Sequence, residues 1–307
     1  HADKTHLRNE LAFCMARVLD MPYTPESRFA ELTLNGQLDG LYQITNKTYP
    51  VEDRIKDDAK PGSGAPQDTA DAFLIEMDLA ARKDDWIQTD SGLTFNMRFN
   101  TDPEQMLRIT DWMNAFEALL ADRDDPQRLD KLANFVDLQS LVDLYLVNEL
   151  SANPDGWLSS MYLYRLQGGP LTFGPVWDFD QAFGPTKHNI DPEGWLHIGR
   201  SPYDNFNMYF RWLLTEPRFA QLVRERWQHL YAHVPHFLRY VQASALALDT
   251  AQQRNFRRWP VLDEYLFTNV IALGSYAAEV DFVHDWLQQR ASWMNDHLEA
   301  LLQSHLR

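Results

Sequence analysis

Two aspartates separated by one aromatic residue stand in the stretch "GPVWDFDQAFG", residues 174–184. Asp178 and Asp180 follow a short apolar run, and a glycine ends the stretch. Two close carboxylates repel each other unless a cation or a hydrogen-bond donor lies between them, and hard ions such as Mg²⁺ prefer oxygen ligands. The stretch therefore predicts either a metal site anchored by Asp178 or a strand followed by an acidic turn. In the metal site, Asp180 is either a second ligand or a brace for the turn.

A third aspartate, Asp155, lies upstream in the stretch "SANPDGW", between a long apolar helical pattern and a predicted strand pair. In phosphoryl transfer, one positioned carboxylate orients the attacking hydroxyl, and a metal ion held by a second carboxylate neutralises phosphate charge. Asp155 and Asp178 fit these two roles. The alternative is that Asp155 is an ordinary turn residue, because Pro154 and Gly156 favour a tight turn. Asn153 is then expected to bond its own backbone in an Asx-turn rather than to touch metal or substrate.

The elements that must position these carboxylates are predicted from hydrophobic periodicity. Residues 4–21 predict a helix, and a hairpin follows with its turn at Asn35 and Gly36. Residues 56–71 have no apolar period and are rich in Gly, Pro, Ala and Asp, which predicts a mobile loop. Strands, long helices and the strand pair "SMYLYRL" and "LTFGPVWDFD" follow, so the second strand is expected to run up to Asp178, and the chain is almost all helical from Met208 onward. We expect an α+β fold with a ligand cleft between a small mixed lobe and a larger helical one.

Composition limits the classes of partner. The chain has 307 residues, of which 45% are hydrophobic, so it can bury a large core. It carries 28 Lys and Arg against 44 Asp and Glu, a formal charge of −16, which disfavours binding to nucleic acid or anionic lipid. No apolar run approaches the roughly 18 residues that a membrane span needs. Cys14 is the only cysteine, which excludes an intrachain disulfide and a cysteine metal cage.

The chain has no H-R-D, D-F-G or G-x-G-x-x-G motif, so it is not a close relative of the ordinary protein kinases. Several of its segments resemble another family over nearly the whole length. They include "DKTHLRNELAF", "ELTLNGQLDGLYQIT", "AFLIEMD", "LVNELSANPDGWLSSMYLYR", "GPVWDFDQAFG", "WLLTEPRFAQLVRERW" and "YAAEVDFVHDWLQQRASWM". These segments resemble the spore-coat-protein-H family, the CotH kinases, which are atypical kinases.

The resemblance implies a single domain over residues 1–307 with a two-lobed, atypical protein-kinase-like fold. Residues 1–55 would belong to the small lobe, and residues 72–307 would supply the remaining strands and the large helical lobe. It also implies an enzyme that uses ATP with Mg²⁺ or Mn²⁺ to phosphorylate Ser or Thr hydroxyls of a protein substrate. Asp155 would be the catalytic-loop aspartate and Asp178 the metal ligand. Family members are commonly secreted or surface-associated, so the same location is expected here.

Three departures from the family pattern affect the predicted cofactor site. Ser160 occupies the position of the family's usual asparagine, five residues after the catalytic aspartate, and a hydroxyl is a weaker ligand for a hard metal than an amide carbonyl. Asn46 occupies the position of a glutamate that usually follows the hairpin. The strand that carries the family's phosphate-binding lysine has no counterpart in the sequence.

Arg8 and Asn9 are predicted to be solvated by default, and the resemblance implies that they order the small lobe near the cleft. Ser160, Asn46 and Arg8, together with Asn153, form the predicted cofactor-binding set.

Two other classes of function remain open. A kinase-like protein that has lost full metal chelation would serve as a non-catalytic binding protein, such as an adhesin or an assembly factor, and Ser160 favours that alternative. A metal-dependent phosphoesterase would use the same aspartates to activate water. Nucleotide binding separates the kinase from the other two classes, and autophosphorylation separates it from the binding protein.

Overall fold

A computed structural model describes residues 2–46, 49–58, 72–78, 85–98, 101–156, 159–198 and 208–305. These ranges contain nine helices and seven strands. The helices are α1 (Arg8–Val18), α2 (Tyr49–Asp58), α3 (Pro103–Ala121), α4 (Arg128–Leu132), α5 (Leu138–Ser151), α6 (Met208–Leu213), α7 (Pro217–Ala232), α8 (Val234–Arg258) and α9 (Tyr276–His305). The strands are β1 (Ser27–Leu34), β2 (Gln37–Thr45), β3 (Phe73–Met77), β4 (Trp86–Gln88), β5 (Thr94–Met97), β6 (Met161–Arg165) and β7 (Leu171–Phe173). The α+β fold class is confirmed.

The predicted hairpin is present as a separate two-stranded sheet. Strands β1 and β2 pair antiparallel, and Leu34 faces Gln37 across a two-residue turn. The turn residues Asn35 and Gly36 have φ values of 52° and 79°. Positive φ at both positions matches the right-handed twist of a hairpin, and Asn-Gly is the residue pair that adopts it at least cost. The hairpin packs through β2 against α8.

The second sheet has five strands in the order β4-β5-β3-β6-β7. Strand β3 pairs antiparallel with both β5 and β6, so strands that precede and follow α3 to α5 in the chain join in one sheet. Alternate residues of β3 face the main core on one side and a small core beneath α2 on the other, as the two-residue period of a strand requires. Helix α2 also covers residues 56–58, the first three of the predicted loop, and residues 59–71 lie outside the described ranges.

Helix α1 begins later than predicted. It starts at Arg8 rather than at residue 4 because the Asp3 carboxylate accepts hydrogen bonds from the backbone N–H groups of Thr5 and Arg8. His6 adopts a φ of 61°, which is incompatible with a helix. Residues 3–7 therefore form a turn that leads into the helix.

Helix α5 is central to the molecule. All residues from Ser140 to Ser151 are buried, so the helix is enclosed on every side rather than amphipathic. Its neighbours include α1, α7, α9 and β7. The helix ends at Ala152, whose φ of 44° turns the chain sharply into the loop that carries Asp155. Among the helices within the described ranges, none is both long and apolar enough to cross a lipid bilayer.

Candidate active site

The loop that carries Asp178 and Asp180, called the acidic loop below, does not directly follow a strand as predicted. The prediction of a strand running up to Asp178 was wrong, because β7 ends at Phe173. Gly174 has a φ of 126°, a conformation open essentially only to glycine, and Pro175 has no N–H to continue the ladder. Asp178 therefore lies on a loop, where its backbone is free to leave strand geometry.

Asp178 is brought together with two other predicted site residues. The Ser160 hydroxyl donates to Asp178 Oδ2 over 3.2 Å, and Asn153 Nδ2 donates to the Asp178 carbonyl oxygen over 3.4 Å. Asp178 and Ser160 both have left-handed backbones, with φ values of 65° and 56°. Such conformations are costly for residues other than glycine, and they concentrate at functional sites whose surroundings enforce them.

Asp155 lies beside this cluster and is held at both its backbone and its side chain. Its N–H donates to Asn153 Oδ1 over 3.2 Å, which is the Asx-turn that the sequence predicted. Its Oδ2 accepts a hydrogen bond from Gln181 Nε2 over 2.7 Å. The loop after α5 and the acidic loop are thus joined by three side-chain hydrogen bonds, made by Asn153, Ser160 and Gln181. The turn geometry and a catalytic role for Asp155 are compatible.

Asp180 is a site carboxylate with a raised pKa. Burial, followed by the negative charges of Asp178 and Asp3, raises the pKa of Asp180 to about 6. The raised pKa shows that the site as it stands disfavours the ionised carboxylate, and a bound cation would reverse that preference. Within the described ranges no group of three or more His, Cys, Asp or Glu side chains is placed to hold a metal ion. Mg²⁺ in phosphate sites commonly uses one or two carboxylates together with phosphate oxygens and water, and Asp178 with Asp180 fits that pattern.

Asp178 and Asp180 open into a cavity of about 660 Å³ between the hairpin, the N-terminal turn and the end of α8. This volume is within the usual range for small-molecule sites. Aromatic side chains contribute much of its wall, namely Tyr42, Trp177, Phe256 and Trp259. Lys4 is the only Lys or Arg among the described residues that line it. Lys4 is buried, and its Nζ lies 3.0 Å from the Leu262 carbonyl oxygen and 3.3 Å from Glu279 Oε1.

The sequence did not assign a lysine to this site, and the structure places Lys4 in its wall. Its contacts with Leu262 and Glu279 come from the far end of the chain, and no local pattern encodes them. Lys4 is itself the lysine of the "DKTHLRNELAF" segment, which was noted only as a point of family resemblance.

Arg8 and Asn9 form hydrogen bonds with the backbone of the acidic loop. The expectation of a solvated face was wrong for Arg8, which is only 1% exposed, whereas Asn9 is half-buried. Arg8 Nε donates to the Ala182 carbonyl oxygen over 2.9 Å, and Asn9 Oδ1 accepts from the Phe179 N–H over 2.7 Å. Arg8 Nη1 also lies 2.6 Å from Asp3 Oδ1. Burial alone would raise the pKa of Asp3, but the Arg8 charge and the Thr5 hydroxyl lower it overall. Arg8 is not among the cavity-lining residues, so its predicted contact with a cofactor stays a prediction.

Asn46 closes the open end of the hairpin. Its Oδ1 accepts from the Glu26 N–H over 3.0 Å, and its own N–H donates to the Glu26 carbonyl oxygen over 3.4 Å. Its neighbour Thr45 lines the cavity, whereas Asn46 is not among the lining residues. The structure therefore gives Asn46 a local bracing contact, and its predicted role in cofactor binding is untested.

The segment that follows the acidic loop is fastened to the interior by a buried charge network. Glu149, on α5, is fully buried and accepts hydrogen bonds from the backbone N–H groups of Leu196 and His197, each over 2.8 Å. Arg290, on α9, lies 3.0 Å from Glu149 Oε2 and also donates to the carbonyl oxygens of Pro192 and Gly194. Burial would raise the pKa of Glu149, but the His197 and Arg290 charges and the hydrogen bonds lower it overall.

A comparison with protein families identifies the family of the chain. The family model described as CotH kinase protein matches residues 1–294 of the chain. The chain belongs to the CotH kinase family. No match was found among the curated proteins. The CotH match includes the hairpin, the cavity wall, the loops of Asp155 and Asp178, and both members of the Glu149–Arg290 pair. The family resemblance predicted from the sequence motifs is therefore confirmed.

The candidate site combines three kinds of chemical group. It has a carboxylate, Asp155, whose orientation is set by hydrogen bonds, and a second acidic group, Asp178 with Asp180, that faces a cavity. The cavity wall includes aromatic side chains and the buried ammonium group of Lys4. A carboxylate pair suits a divalent cation, a buried ammonium suits an anion, and flat aromatic rings suit a planar base.

Proposed function

We propose that this protein is an ATP- and divalent-metal-dependent protein kinase that phosphorylates Ser or Thr hydroxyls of a protein substrate. The observation that carries the proposal is the cross-linked pair of loops, one of which contributes Asp178 and Asp180 to the cavity wall. The loops set Asp155 beside the acidic group of Asp178 and Asp180, joined by the hydrogen bonds of Asn153, Ser160 and Gln181. A positioning carboxylate next to a metal-binding carboxylate is the arrangement that phosphoryl transfer requires.

Asp178 and Asp180 would hold Mg²⁺ or Mn²⁺, and the cavity would hold the adenine nucleotide. A metal bound there supplies neutralisation of phosphate charge during transfer. Lys4 is the cationic side chain in the lining, so it is the candidate partner for the phosphates. Trp177 and Phe256 belong to the aromatic part of the wall and offer flat surface to the base. Because the chain is strongly acidic, binding a polyphosphate requires a local cation such as Lys4 or a metal ion.

Asp155 would orient the substrate hydroxyl and accept its proton. Its carboxylate keeps a fixed direction because Gln181 Nε2 donates to Oδ2 and the Asn153 side chain holds the backbone. Fixed geometry contributes much of the rate enhancement when the protein forms no covalent intermediate. The two-lobed kinase-like arrangement, the protein substrate and a secreted or surface location belong to the same proposal, and family membership supports them.

Ser160 favours a second candidate function, that of a non-catalytic binding protein. Its hydroxyl stands where the family usually has an asparagine, and it donates to Asp178 Oδ2. A donor in that position stabilises the carboxylate without adding an amide oxygen as a metal ligand. If Ser160 abolishes productive metal binding, the same cavity would bind nucleotide or another ligand without transfer.

Titration calorimetry with ATP and Mg²⁺ or Mn²⁺, followed by incubation with γ-labelled ATP, tests the proposal. We expect metal-dependent ATP binding and label incorporation that EDTA abolishes, with the modified residues identified by mass spectrometry as Ser or Thr. The Asp178→Asn variant is the matched control, because it keeps the shape of the site and removes the metal-binding charge. Nucleotide binding without label incorporation would favour the binding protein. The absence of both would overturn the kinase proposal.

A further inference from the structure

The Gln181 side chain has hydrogen bonds at both ends of its amide. Its Nε2 donates to Asp155 Oδ2 over 2.7 Å, and its Oε1 accepts from the Thr268 hydroxyl. An ionised carboxylate can only accept hydrogen bonds, so the amide nitrogen must face Asp155. The amide oxygen then faces Thr268, whose hydroxyl can donate. The chemistry of the three groups therefore allows one orientation of the amide.

The backbone around Gln181 is fixed by a buried asparagine. Asn189 is 0% exposed, and its Nδ2 donates to the carbonyl oxygens of Gln181 and Ala152 over 2.8 Å and 3.0 Å. Its Oδ1 accepts from the N–H and the hydroxyl of Thr186, each over 2.9 Å. One side chain thus sets the spacing between the acidic loop and the end of α5. Because the backbones are held in this way, the remaining freedom at Asp155 is rotation of side chains.

Thr268 comes from the connection between α8 and α9, far from Asp155 in sequence. That connection is hydrogen-bonded to the segment that follows the acidic loop, because the Val270 N–H donates to the Pro185 carbonyl oxygen over 2.8 Å. Asn269 Nδ2 donates to the Ala2 carbonyl oxygen over 2.8 Å. Phe267 has a φ of 50°, an unfavourable conformation for a bulky residue, and its side chain is 72% exposed. The surrounding contacts enforce a backbone that delivers the Thr268 hydroxyl to Gln181.

We infer that Gln181 and Thr268 are positioning residues for phosphoryl transfer: Thr268 holds the Gln181 amide, and the amide holds the Asp155 carboxylate in the direction of the substrate hydroxyl. The inference rests on the proposed function and adds two residues to it. Neither Gln181 nor Thr268 lines the nucleotide cavity. Their loss should therefore slow the transfer step while leaving the affinity for ATP and metal unchanged.

The test uses isosteric changes in the full chain. Thr268→Val removes the hydroxyl and keeps the shape, and Thr268→Ser restores the donor. Gln181→Glu keeps the size but replaces the donor to Asp155 with a repelling carboxylate. Tyr265→Ala is the matched control, because Tyr265 lies in the same connection and is 71% exposed. For each protein we would measure the autophosphorylation rate at saturating ATP and Mg²⁺, the ATP concentration that gives half that rate, and the melting temperature.

We expect Thr268→Val and Gln181→Glu to lower the saturated rate by about 10- to 100-fold, the size of effect that a misplaced catalytic group produces. The half-saturating ATP concentration should stay at the value of the unmodified chain for both variants, and the melting temperature should stay there for the isosteric Thr268→Val. Thr268→Ser should recover most of the rate, and Tyr265→Ala should lose none. A purely structural role would instead lower the melting temperature together with the rate.

The outcomes separate this inference from the proposed function. If the unmodified chain transfers phosphate and Thr268→Val is equally fast, the positioning role is wrong and the kinase proposal stands. If Thr268→Val is slow and Thr268→Ser is no faster, the hydroxyl is not responsible, and the inference is again overturned. If the unmodified chain binds ATP but transfers nothing under any condition, both the kinase proposal and the positioning role fail.

Discussion

Replacing Asp178 with asparagine should abolish transfer and at the same time stabilise the metal-free protein at neutral pH. Asparagine keeps an acceptor oxygen for the Ser160 hydroxyl, which now donates to Asp178 Oδ2. It also tolerates the left-handed backbone at this position, where φ is 65°. The substitution therefore removes a charge without removing a contact or straining the chain.

The size of the gain follows from Asp180. Burial and the Asp178 charge raise the pKa of Asp180 from 3.8 to about 6. A full shift of that size corresponds to roughly 3 kcal/mol at about 1.4 kcal/mol per unit, but burial is the larger cause and partial exposure screens the charges. We assign on the order of 1 kcal/mol to Asp178, which corresponds to a rise of about 2 °C in melting temperature.

The sign of the pH dependence is also fixed. A carboxyl group whose pKa is raised on folding binds more protons in the folded state than in the unfolded state. Its destabilising effect is therefore absent below the pKa of the unfolded state and complete above the pKa of the folded state. The advantage of Asp178→Asn should therefore be present at pH 7 and vanish near pH 4. Melting curves in EDTA at both pH values, together with autophosphorylation at neutral pH, measure this. An active Asp178→Asn protein, or one that melts earlier at pH 7, would refute the reasoning.

Asp3→Asn is the matched control of opposite sign. Asp3 lines the same cavity, but the Arg8 charge and the Thr5 hydrogen bond outweigh burial and lower the pKa of Asp3. Its contribution to stability is present above the unfolded pKa and is lost as the pH falls through the folded one. Asp3→Asn leaves the buried Arg8 guanidinium without its carboxylate, so it should destabilise at pH 7 by about 3 kcal/mol or more. Two Asp→Asn changes in one cavity are thus expected to shift the melting temperature in opposite directions.

Three further outcomes are expected. Ser160→Asn should tighten Mg²⁺-ATP binding in calorimetry, because an amide oxygen is a better hard-metal ligand, and the φ of 56° suits asparagine, so the melting temperature should not fall. Glu149→Gln should lower the free energy of unfolding, measured in urea, by about 3 to 5 kcal/mol, because Arg290 stays buried without a countercharge. Adding the second change Arg290→Met should recover part of this loss. Additive losses of stability in the double variant would contradict the pairing. Deletion of residues 60–70 should leave ATP affinity unchanged, because the segment is predicted to be mobile and remote from the carboxylates; a large loss in calorimetry would show that it covers the site.

Local features of the chain were predictable where the signal lies within a few residues. The Asn35-Gly36 turn specifies its hairpin because few other residue pairs adopt two positive φ values. The apolar run of α5 and the Asx-turn at Asn153 are encoded in the same way, by periodicity and by a side chain that bonds its own backbone. The prediction that Asp155 and Asp178 belong to one site rested instead on their residue types and on the family resemblance.

The contacts that were missed join distant parts of the chain. Thr268 and Gln181 are 87 residues apart, and Arg8 reaches the Ala182 carbonyl oxygen across 174 residues. Periodicity within α1 says nothing about which loop will cover its outer face, so Arg8 was predicted to be solvated. The end of β7 was missed for a different reason, because the apolar residues that continue past Gly174 look like strand although the backbone has already turned.

The Glu149–Arg290 pair has a consequence for the order of events during synthesis. The two residues are separated by 141 positions, and Arg290 belongs to α9, the last of the described helices. At a translation rate of about 5–20 residues per second, Glu149 is made roughly 7 to 28 s before its partner. Until α9 exists, the segment after the acidic loop has no guanidinium to hold its carbonyl oxygens, and α5 carries an unmatched carboxylate. A ribosome-bound chain that lacks α9 therefore cannot hold the site in its finished form, and the candidate enzyme acquires its chemistry only once α9 has been made.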